Sequence, residues 1–243
     1  MNLGAGGVRA VNSIDPRPVL IVTGLIQEAR IAAGPGLTVI CSSSDPQQLR
    51  ELLTVFDPST IRGVISFGVA GGLDPTLKSG DLVVATEVMA GDTRWLAGLT
   101  LSDELLASIP LGGRRVIRAG LAGVEQVIAA QDGKAALRSE TGAAAVDMES
   151  HIAAAYAAEA GLPFAALRVI SDPAGRALPA LAMAAIKPNG DIDLRKVLRG
   201  LARNPFTLRA LVSTGIDFNR ALRSLRGCRS FLLGSEGLVP ANL

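Results

Sequence analysis

Short runs of β-branched residues, separated by segments with helical spacing, constrain the fold of this chain more than any other feature. Strands of this kind are predicted at residues 19–23, 37–41, 63–69, 81–88, 115–121 and 164–170. Helices are predicted between them, at 25–33, 45–56, 102–109, 133–139 and 147–160. Strands that alternate with helices form a largely parallel sheet with both faces covered. The sequence therefore predicts an α/β fold.

The 243 residues suffice for one large α/β domain. We expect this domain at residues 18–187, after a loose tail at 1–17 and before a helical extension at 188–243 that packs on it. Residues 187–243 hold ten Lys and Arg against four Asp and Glu. This basic balance indicates an anionic surface as a partner. Nucleic acid is not expected, because basic and aromatic residues do not alternate there.

Composition also excludes several classes of protein. No uncharged apolar run approaches the ~18 to 20 residues that cross a bilayer, and the first residues lack the pattern of a signal peptide. Cys41 and Cys228 match no metal or disulfide spacing, so a cytoplasmic location is expected. His151 is the only histidine, which leaves zinc hydrolysis and Ser-His-Asp chemistry without their residues.

Two carboxylates are expected near one pocket, because ligands of such sheets bind at the carboxyl ends of strands. Asp172 ends the last predicted strand, where burial would raise its pKa and suit it to protonate a leaving base. Glu149 lies at a predicted helix start and would accept sugar hydroxyls. Each has a structural alternative: Asp172 forms a turn before Pro173, and Glu149 complements the helix dipole.

Three further features belong to the same region. Residues 68–72 form a glycine-rich loop after a strand, where Gly71 lets backbone N–H groups approach a ligand. Ser171 lies at the end of the last strand beside Asp172. Arg168 lies four residues before Asp172, on the same face of that strand, and is expected to pair with Glu149 and fix its rotamer.

Together, residues 63–75, 80–84, 146–150 and 168–172 resemble the purine nucleoside phosphorylase and methylthioadenosine/adenosylhomocysteine nucleosidase family in order and spacing. The resemblance covers about residues 18–187. It implies a three-layer α/β/α fold with a central mixed sheet, and an assembly of two or more copies. It also implies that Met148 and Glu149 bind the ribose and that Asp172 protonates N7 of the purine. Val127 and Ile128 occupy the purine-stacking position, where the nucleosidases carry Phe-Ile.

Within the family the chain is similar to the hopanoid-associated branch, which removes adenine from adenosylhopane. The supporting segments are 22–32, 145–151, 178–179 and 198–203. This similarity implies release of adenine to give ribosylhopane in hopanoid biosynthesis. It also gives the basic C-terminal helices a purpose, because they would hold the enzyme peripherally at the inner face of the membrane.

The nucleophile is open between water and phosphate. The phosphorylases place Arg and Ser in the glycine-rich segment, whereas this chain has Ser66 and Val69 there, which favours hydrolysis. The nucleosidases activate water with a Glu after the first strand. Gapless counting puts Ala29 in that position, and a shift of one residue makes Glu28 the general base. Arg30 instead marks a phosphate site in a phosphorylase. No cofactor is expected, apart from phosphate as a co-substrate in that case.

Two other functions fit the same residues. One is a soluble methylthioadenosine or adenosylhomocysteine nucleosidase. The other is a purine-nucleoside sensor without turnover, which the presence of both Asp172 and Glu149 disfavours. Trp95, placed in the loop after the fourth predicted strand, is expected either at an interface or lipid tail, or as a local packing anchor.

Overall fold

The computed structural model describes residues 15–107, 109, 114–184, 195, 199 and 207–229. Its strands are β1 (Val19–Thr23), β2 (Leu37–Cys41), β3 (Gly63–Gly72), β4 (Leu82–Ala90), β5 (Thr93–Leu96), β6 (Val116–Gly123), β7 (Ala145–Asp147) and β8 (Phe164–Asp172). Its helices are α1 (Ile26–Ala32), α2 (Pro46–Thr54), α3 (Leu99–Ala107), α4 (Gln131–Thr141), α5 (Ser150–Glu159), α6 (Ala180–Ala184) and α7 (Leu208–Gly227), with a 3₁₀ turn at Pro58–Thr60.

The strands form one mixed sheet in the order β2-β1-β3-β7-β6-β4-β5, and β8 pairs with both β3 and β4. β8 runs parallel to β3 and antiparallel to β4. β4 continues to β6, β6 to β7, and β7 back to β3. These five strands therefore close a circuit in which β8 is hydrogen-bonded on both sides.

Helices cover the sheet on both faces. One apolar cluster joins the sheet to α2 and α5 through Leu49, Leu53 and Ile152. A second cluster joins the other face to α1, α3 and α7 through residues such as Leu105 and Leu225. The predicted three-layer α/β/α fold with a central mixed sheet is therefore confirmed. In the described ranges, none of the helices has the length and apolarity to cross a bilayer.

Local sequence patterns predicted the positions of most strands and helices correctly. β1 and β2 have the predicted bounds. α2 begins as predicted, with Pro46 in its first turn and the Asp45 carboxylate accepting from the backbone N–H groups of Gln47 and Gln48. Capping by Asp45 satisfies N–H groups that have no partner inside the helix.

Three local predictions were wrong. The glycine-rich segment at 68–72 was predicted as a loop, but it pairs with β7 and β8 and continues strand β3 to Gly72. The helix predicted from Asp147 begins at Ser150, because residues 145–147 pair with β3 and β6 as strand β7. Trp95 lies in strand β5 rather than in a loop, and it pairs with Val88 of β4. Its half-buried ring packs against the α2–α5 apolar cluster, which agrees with the packing alternative.

Helix α7 packs against β8 by one face and exposes the other. Ala221, Leu222 and Leu225 are buried against the sheet. Asp217 is also buried, where it pairs with Arg176 at 2.8 Å. The tail predicted at the N-terminus, the turn at 187–190 and most of the helix around 194–203 lie outside the described residues.

Candidate active site

A cavity of about 190 Å³ opens at the ends of β3, β7 and β8. These strands lie in the closed circuit, so their ends meet at one place. The lining of the cavity includes eight of the residues singled out from the sequence: Glu28, Gly71, Val127, Ile128, Met148, Glu149, Ser171 and Asp172. Arg168 is the exception, because it is fully buried behind the wall. The sequence motifs are thus brought together in space.

Asp172, the last residue of β8, contributes a buried carboxyl group to the cavity. Its Oδ2 lies 2.6 Å from the Lys134 ammonium, and its Oδ1 lies 2.6 Å from the Ser171 hydroxyl, which donates to it. Burial raises the pKa of Asp172, although Lys134 and Ser171 act in the opposite direction. A raised pKa suits a general acid, and the neighbouring cation limits the rise.

Sequence reasoning missed Lys134. This side chain projects from α4 and is only 1% exposed, which is rare for lysine. The segment was predicted as a weak helix, and a lysine in such a helix is normally solvated. No local signal in the sequence marks it, because its partner lies 38 residues further along the chain.

Glu28 lies in α1 with its carboxylate at the cavity wall. Its Oε2 accepts from the backbone N–H groups of Gly24 and Leu25, both at 2.9 Å, and its Oε1 accepts from Val69 at 2.8 Å. Burial raises the pKa of Glu28, opposed mainly by the charge of Arg168. The remaining lone pairs can take a proton from a water in the cavity, as a general base requires.

Glu149 belongs to a buried charge cluster around Arg168. Arg168 pairs with Glu149 at 3.5 Å, as predicted, and lies closer still, at 3.1 Å, to the Asp147 carboxylate, which was not predicted. Arg168 also donates to Ser66 at 2.6 Å. One cation thus faces three carboxyl groups, including Glu28.

The buried position of Glu149 and the neighbouring carboxyl groups both change its pKa. Burial, with a smaller contribution from the charges of Asp147 and Glu28, raises the pKa of Glu149 to about 8 despite the nearby Arg168. A pKa of about 8 favours the protonated form of Glu149 at neutral pH. Ribose hydroxyls that donate to Glu149 would favour its ionised form.

The raised pKa of Glu149 predicts a pH-dependent stability. Its folded-state pKa of about 8 lies above its usual value of 4.5, so its contribution is complete below pH 4.5 and lost as the pH rises through 8. We expect Glu149→Gln, which mimics the protonated acid, to reduce the fall in unfolding free energy between these two pH values. Denaturant titrations at several pH values measure it. Glu159→Gln, on the exposed side of α5, should leave the slope unchanged, and an equal slope for Glu149→Gln would contradict the assignment.

The backbone at Gly24 lies directly against the carboxyl group of Glu149. A Cβ atom at this position would lie 2.4 Å from Oε1 of Glu149, so any larger residue displaces that carboxyl group. We expect Gly24→Ala to lower kcat/KM for a nucleoside by at least ~10-fold, because a displacement of about 1 Å in an active site has effects of this size. Steady-state assays measure it. Gly215→Ala, where a Cβ meets nothing within 4 Å, is the control, and equal kcat/KM for both variants would refute the effect.

The remaining candidates lie as follows. Arg30 is exposed on α1 and does not line the cavity. His151 is buried in α5 with its Nε2 2.9 Å from Glu125, which also binds Arg50, so it has a structural partner as expected. In the described part of the chain, no group of three or more His, Cys, Asp or Glu is placed to hold a metal ion.

A mixed α/β sheet whose strand ends place these carboxyl groups around one cavity defines an enzyme that cleaves the N-glycosidic bond of a nucleoside. The chain belongs to the phosphorylase superfamily, because the model of that family matches residues 16–197. The resemblance seen in the sequence is thereby confirmed at the level of the superfamily. The hopanoid-associated branch stays a prediction.

Solved structures share the fold at low sequence identity. The 5'-methylthioadenosine/S-adenosylhomocysteine nucleosidase from Neisseria meningitidis, in complex with methylthio-immucillin-A, is 16% identical with a TM-score of 0.66, over 89% of this chain and 98% of that one. The futalosine hydrolase of Helicobacter pylori is 18% identical with a TM-score of 0.63, over 89% and 96%. No curated protein matches the chain.

Proposed function

We propose that this protein is a nucleosidase that hydrolyses the N-glycosidic bond of a 5'-substituted adenosine, and that its substrate is adenosylhopane. The observation that carries the proposal is the convergence of Asp172, Glu149 and Glu28 on one cavity. Hydrolysis of this bond needs an acid for the leaving base, a ligand for the sugar and a base for the water. The three carboxyl groups supply one each.

The chemistry follows from the charges that develop. As the bond to the purine breaks, the sugar becomes oxocarbenium-like and the purine gains electron density at N7. Asp172 delivers a proton to N7, since an anionic purine leaves poorly. Glu149 accepts hydrogen bonds from the ribose hydroxyls, and Met148 packs against the sugar. Glu28 takes a proton from the water that attacks the sugar.

The charges around the cavity favour water over phosphate as the nucleophile. Among the described residues that line the cavity, there is no Arg or Lys. Arg168 and Lys134 lie behind the wall and already pair with carboxylates. Arg30 is exposed outside the cavity. A phosphate dianion would meet the carboxyl groups without a cation to balance its charge. Phosphorolysis to a sugar 1-phosphate is the alternative.

The apolar part of the lining supports a substrate with an apolar 5' substituent. It is formed by Leu25, Val69, Val124, Val127, Ile128, Val146 and Leu178. Val127 is half exposed at the rim of this lining. A hopane group would cover such a rim, whereas the methylthio group of methylthioadenosine is much smaller. A soluble methylthioadenosine or adenosylhomocysteine nucleosidase is the competing assignment.

The assay that tests this function uses adenosylhopane in detergent and methylthioadenosine in buffer, each with and without phosphate. We expect adenine and ribosylhopane from the first substrate without phosphate. Mass spectrometry identifies the sugar product. A sugar 1-phosphate formed only with phosphate would replace hydrolysis by phosphorolysis, and faster turnover of methylthioadenosine would replace the substrate.

Peripheral membrane contact follows from the same proposal. On its outer face α7 exposes Leu208, Val212 and Ile216, each about half, and carries Arg220 and Arg223 nearby. Apolar and basic side chains on one helix are typical of binding to an anionic lipid surface. Removing α7 would open the core, because Leu222 and Leu225 are buried. Surface substitutions are therefore the better test.

We expect Val212→Glu together with Ile216→Glu to weaken sedimentation with anionic vesicles by at least ~10-fold, because two negative charges replace apolar contact beside anionic lipid. Sedimentation with vesicles of phosphatidylglycerol and phosphatidylcholine measures the binding. Glu51→Gln, on exposed α2, is the control. Equal sedimentation of the double variant and the wild type would exclude α7 as the contact.

A further inference from the structure

Lys134 forms an unusual set of contacts behind the cavity. Its Nζ lies 2.6 Å from Oδ2 of Asp172 and within 3.2 Å of three backbone carbonyls, those of Asp172, Pro173 and Arg176. Both partners of the ion pair are shielded from water, with exposed side-chain fractions of 1% and 8%. The ammonium group therefore meets only protein oxygens among the described residues.

These contacts bear on the protonation of the acid. Oδ2 of Asp172 accepts from Lys134, and Oδ1 lies 2.6 Å from the Ser171 hydroxyl, which also lies 3.2 Å from the Ala70 carbonyl. The ammonium group of Lys134 favours the ionised form of Asp172, against the effect of burial. A general acid, however, must carry a proton when the base leaves. Lys134 is the cation in contact with this acid, with its Nζ 2.6 Å from Oδ2 of Asp172.

We propose that Lys134 is a positioning residue for the general acid, and that its ammonium group and the Asp172 carboxyl share one proton that is passed to the leaving purine. This inference rests on the proposed function. One N–H bond of Lys134 breaks as an O–H bond forms on Asp172. Asp172 then gives its proton to N7 as the electron pair of the glycosidic bond moves to the purine. Once the purine has left, Asp172 takes a proton from solvent in the cavity and returns one to the neutral Lys134, and Glu28 releases to solvent the proton it took from water.

The other charged groups near the pair contact partners of their own. The charge of Asp217, in α7, contributes to the raised pKa of Asp172, but Asp217 itself forms an ion pair with Arg176. Across the cavity, Asp147 and Glu149 face Arg168. On α4 itself, Arg138 pairs with Asp74, and Asp132 is exposed. Among the described residues, Lys134 is therefore the cation in contact with the acid.

The pair and a lone acid differ in their pH dependence. In the wild type, the ammonium group of Lys134 supplies protons 2.6 Å from Oδ2 of Asp172. Without Lys134, a buried Asp172 carries its own proton only below its own pKa. The pair of Lys134 and Asp172 can therefore donate a proton to the purine at a higher pH than a lone buried carboxyl group can.

The test is the pH profile of kcat for adenine release by the wild type, Lys134→Met and Lys134→Arg, with thermal melts as a check of folding. We expect Lys134→Met to move the alkaline limb of the profile at least ~1 pH unit lower, so that its rate relative to wild type falls at least ~10-fold further between its own limb and that of the wild type. Lys134→Arg keeps the cation but cannot release a proton, so its kcat should fall at least ~100-fold at all pH values.

Two results would overturn the inference. One is a loss for Lys134→Met by the same factor at every pH, which a merely structural lysine predicts. The other is a wild-type rate and profile for Lys134→Arg, which would mean that charge alone suffices. If Lys134→Met does not fold, Lys134→Arg still decides between these roles. Failure of the proposed function looks different, because the wild type itself would then release no adenine.

Discussion

Replacing Asp172 by asparagine is expected to lower kcat for adenine release by about 10²- to 10⁴-fold, the contribution typical of a positioned general acid. The amide has nearly the shape of the carboxyl group but no proton of suitable acidity for N7. Nucleoside binding should change little, because the sugar is held by Glu149 on another segment. Single-turnover kinetics measure the rate, and calorimetric titration measures the affinity.

The matched control for this variant is Asp132→Asn, an exposed position on α4 that should keep the wild-type rate. A full rate for Asp172→Asn would remove the acid assignment and with it the enzymatic proposal. Loss of turnover with retained binding would also separate an enzyme from a sensor, since a sensor has no turnover to lose.

Replacing Arg168 by methionine is expected to destabilise the protein by about 3–5 kcal/mol, as the loss of one partner from a buried ion pair does. The guanidinium is fully buried and faces Asp147, Glu149 and Glu28. Without it these carboxyl groups repel one another in a site that excludes water. The free energy of unfolding is measured by denaturant titration at neutral pH.

Arg118→Met provides the comparison, because Arg118 is exposed on β6 and pairs at the surface with Asp103. We expect a change within ~0.5 kcal/mol there. The loss for Arg168→Met should be smaller at acid pH, where the carboxyl groups are protonated. A change for Arg168→Met as small as that for Arg118→Met would mean that the cluster is not held by this charge.

Much of this architecture was predictable from local patterns. β1 and the first half of β8 are rich in apolar residues, and such runs in an α/β chain predict buried strands. The residues at the carboxyl ends of these strands, together with the glycine-rich segment that ends β3, predicted part of the cavity lining. Asp172 was found in this way, Glu149 was found from a predicted helix start, and both line one cavity.

What the sequence did not predict depends on contacts between distant segments. The pair of Lys134 and Asp172 joins α4 to β8, and nothing in the helical period of α4 indicates an inward lysine. Strand β7 has three residues, too few for a periodic signal, and was absorbed into the helix that follows. The choice of Asp147 over Glu149 as the nearer partner of Arg168 likewise depends on where β7 places its last side chain.

The closed circuit of β3, β8, β4, β6 and β7 bears on how such an enzyme acquires new specificities. Asp172 ends β8 and Glu149 follows β7, so the spacing between acid and sugar ligand is held by the backbone of the circuit. Val127 and Leu178, in contrast, lie in connecting segments outside it. Evolution, or a protein engineer, can therefore exchange these segments to admit another 5' group while the bond-breaking geometry stays constant.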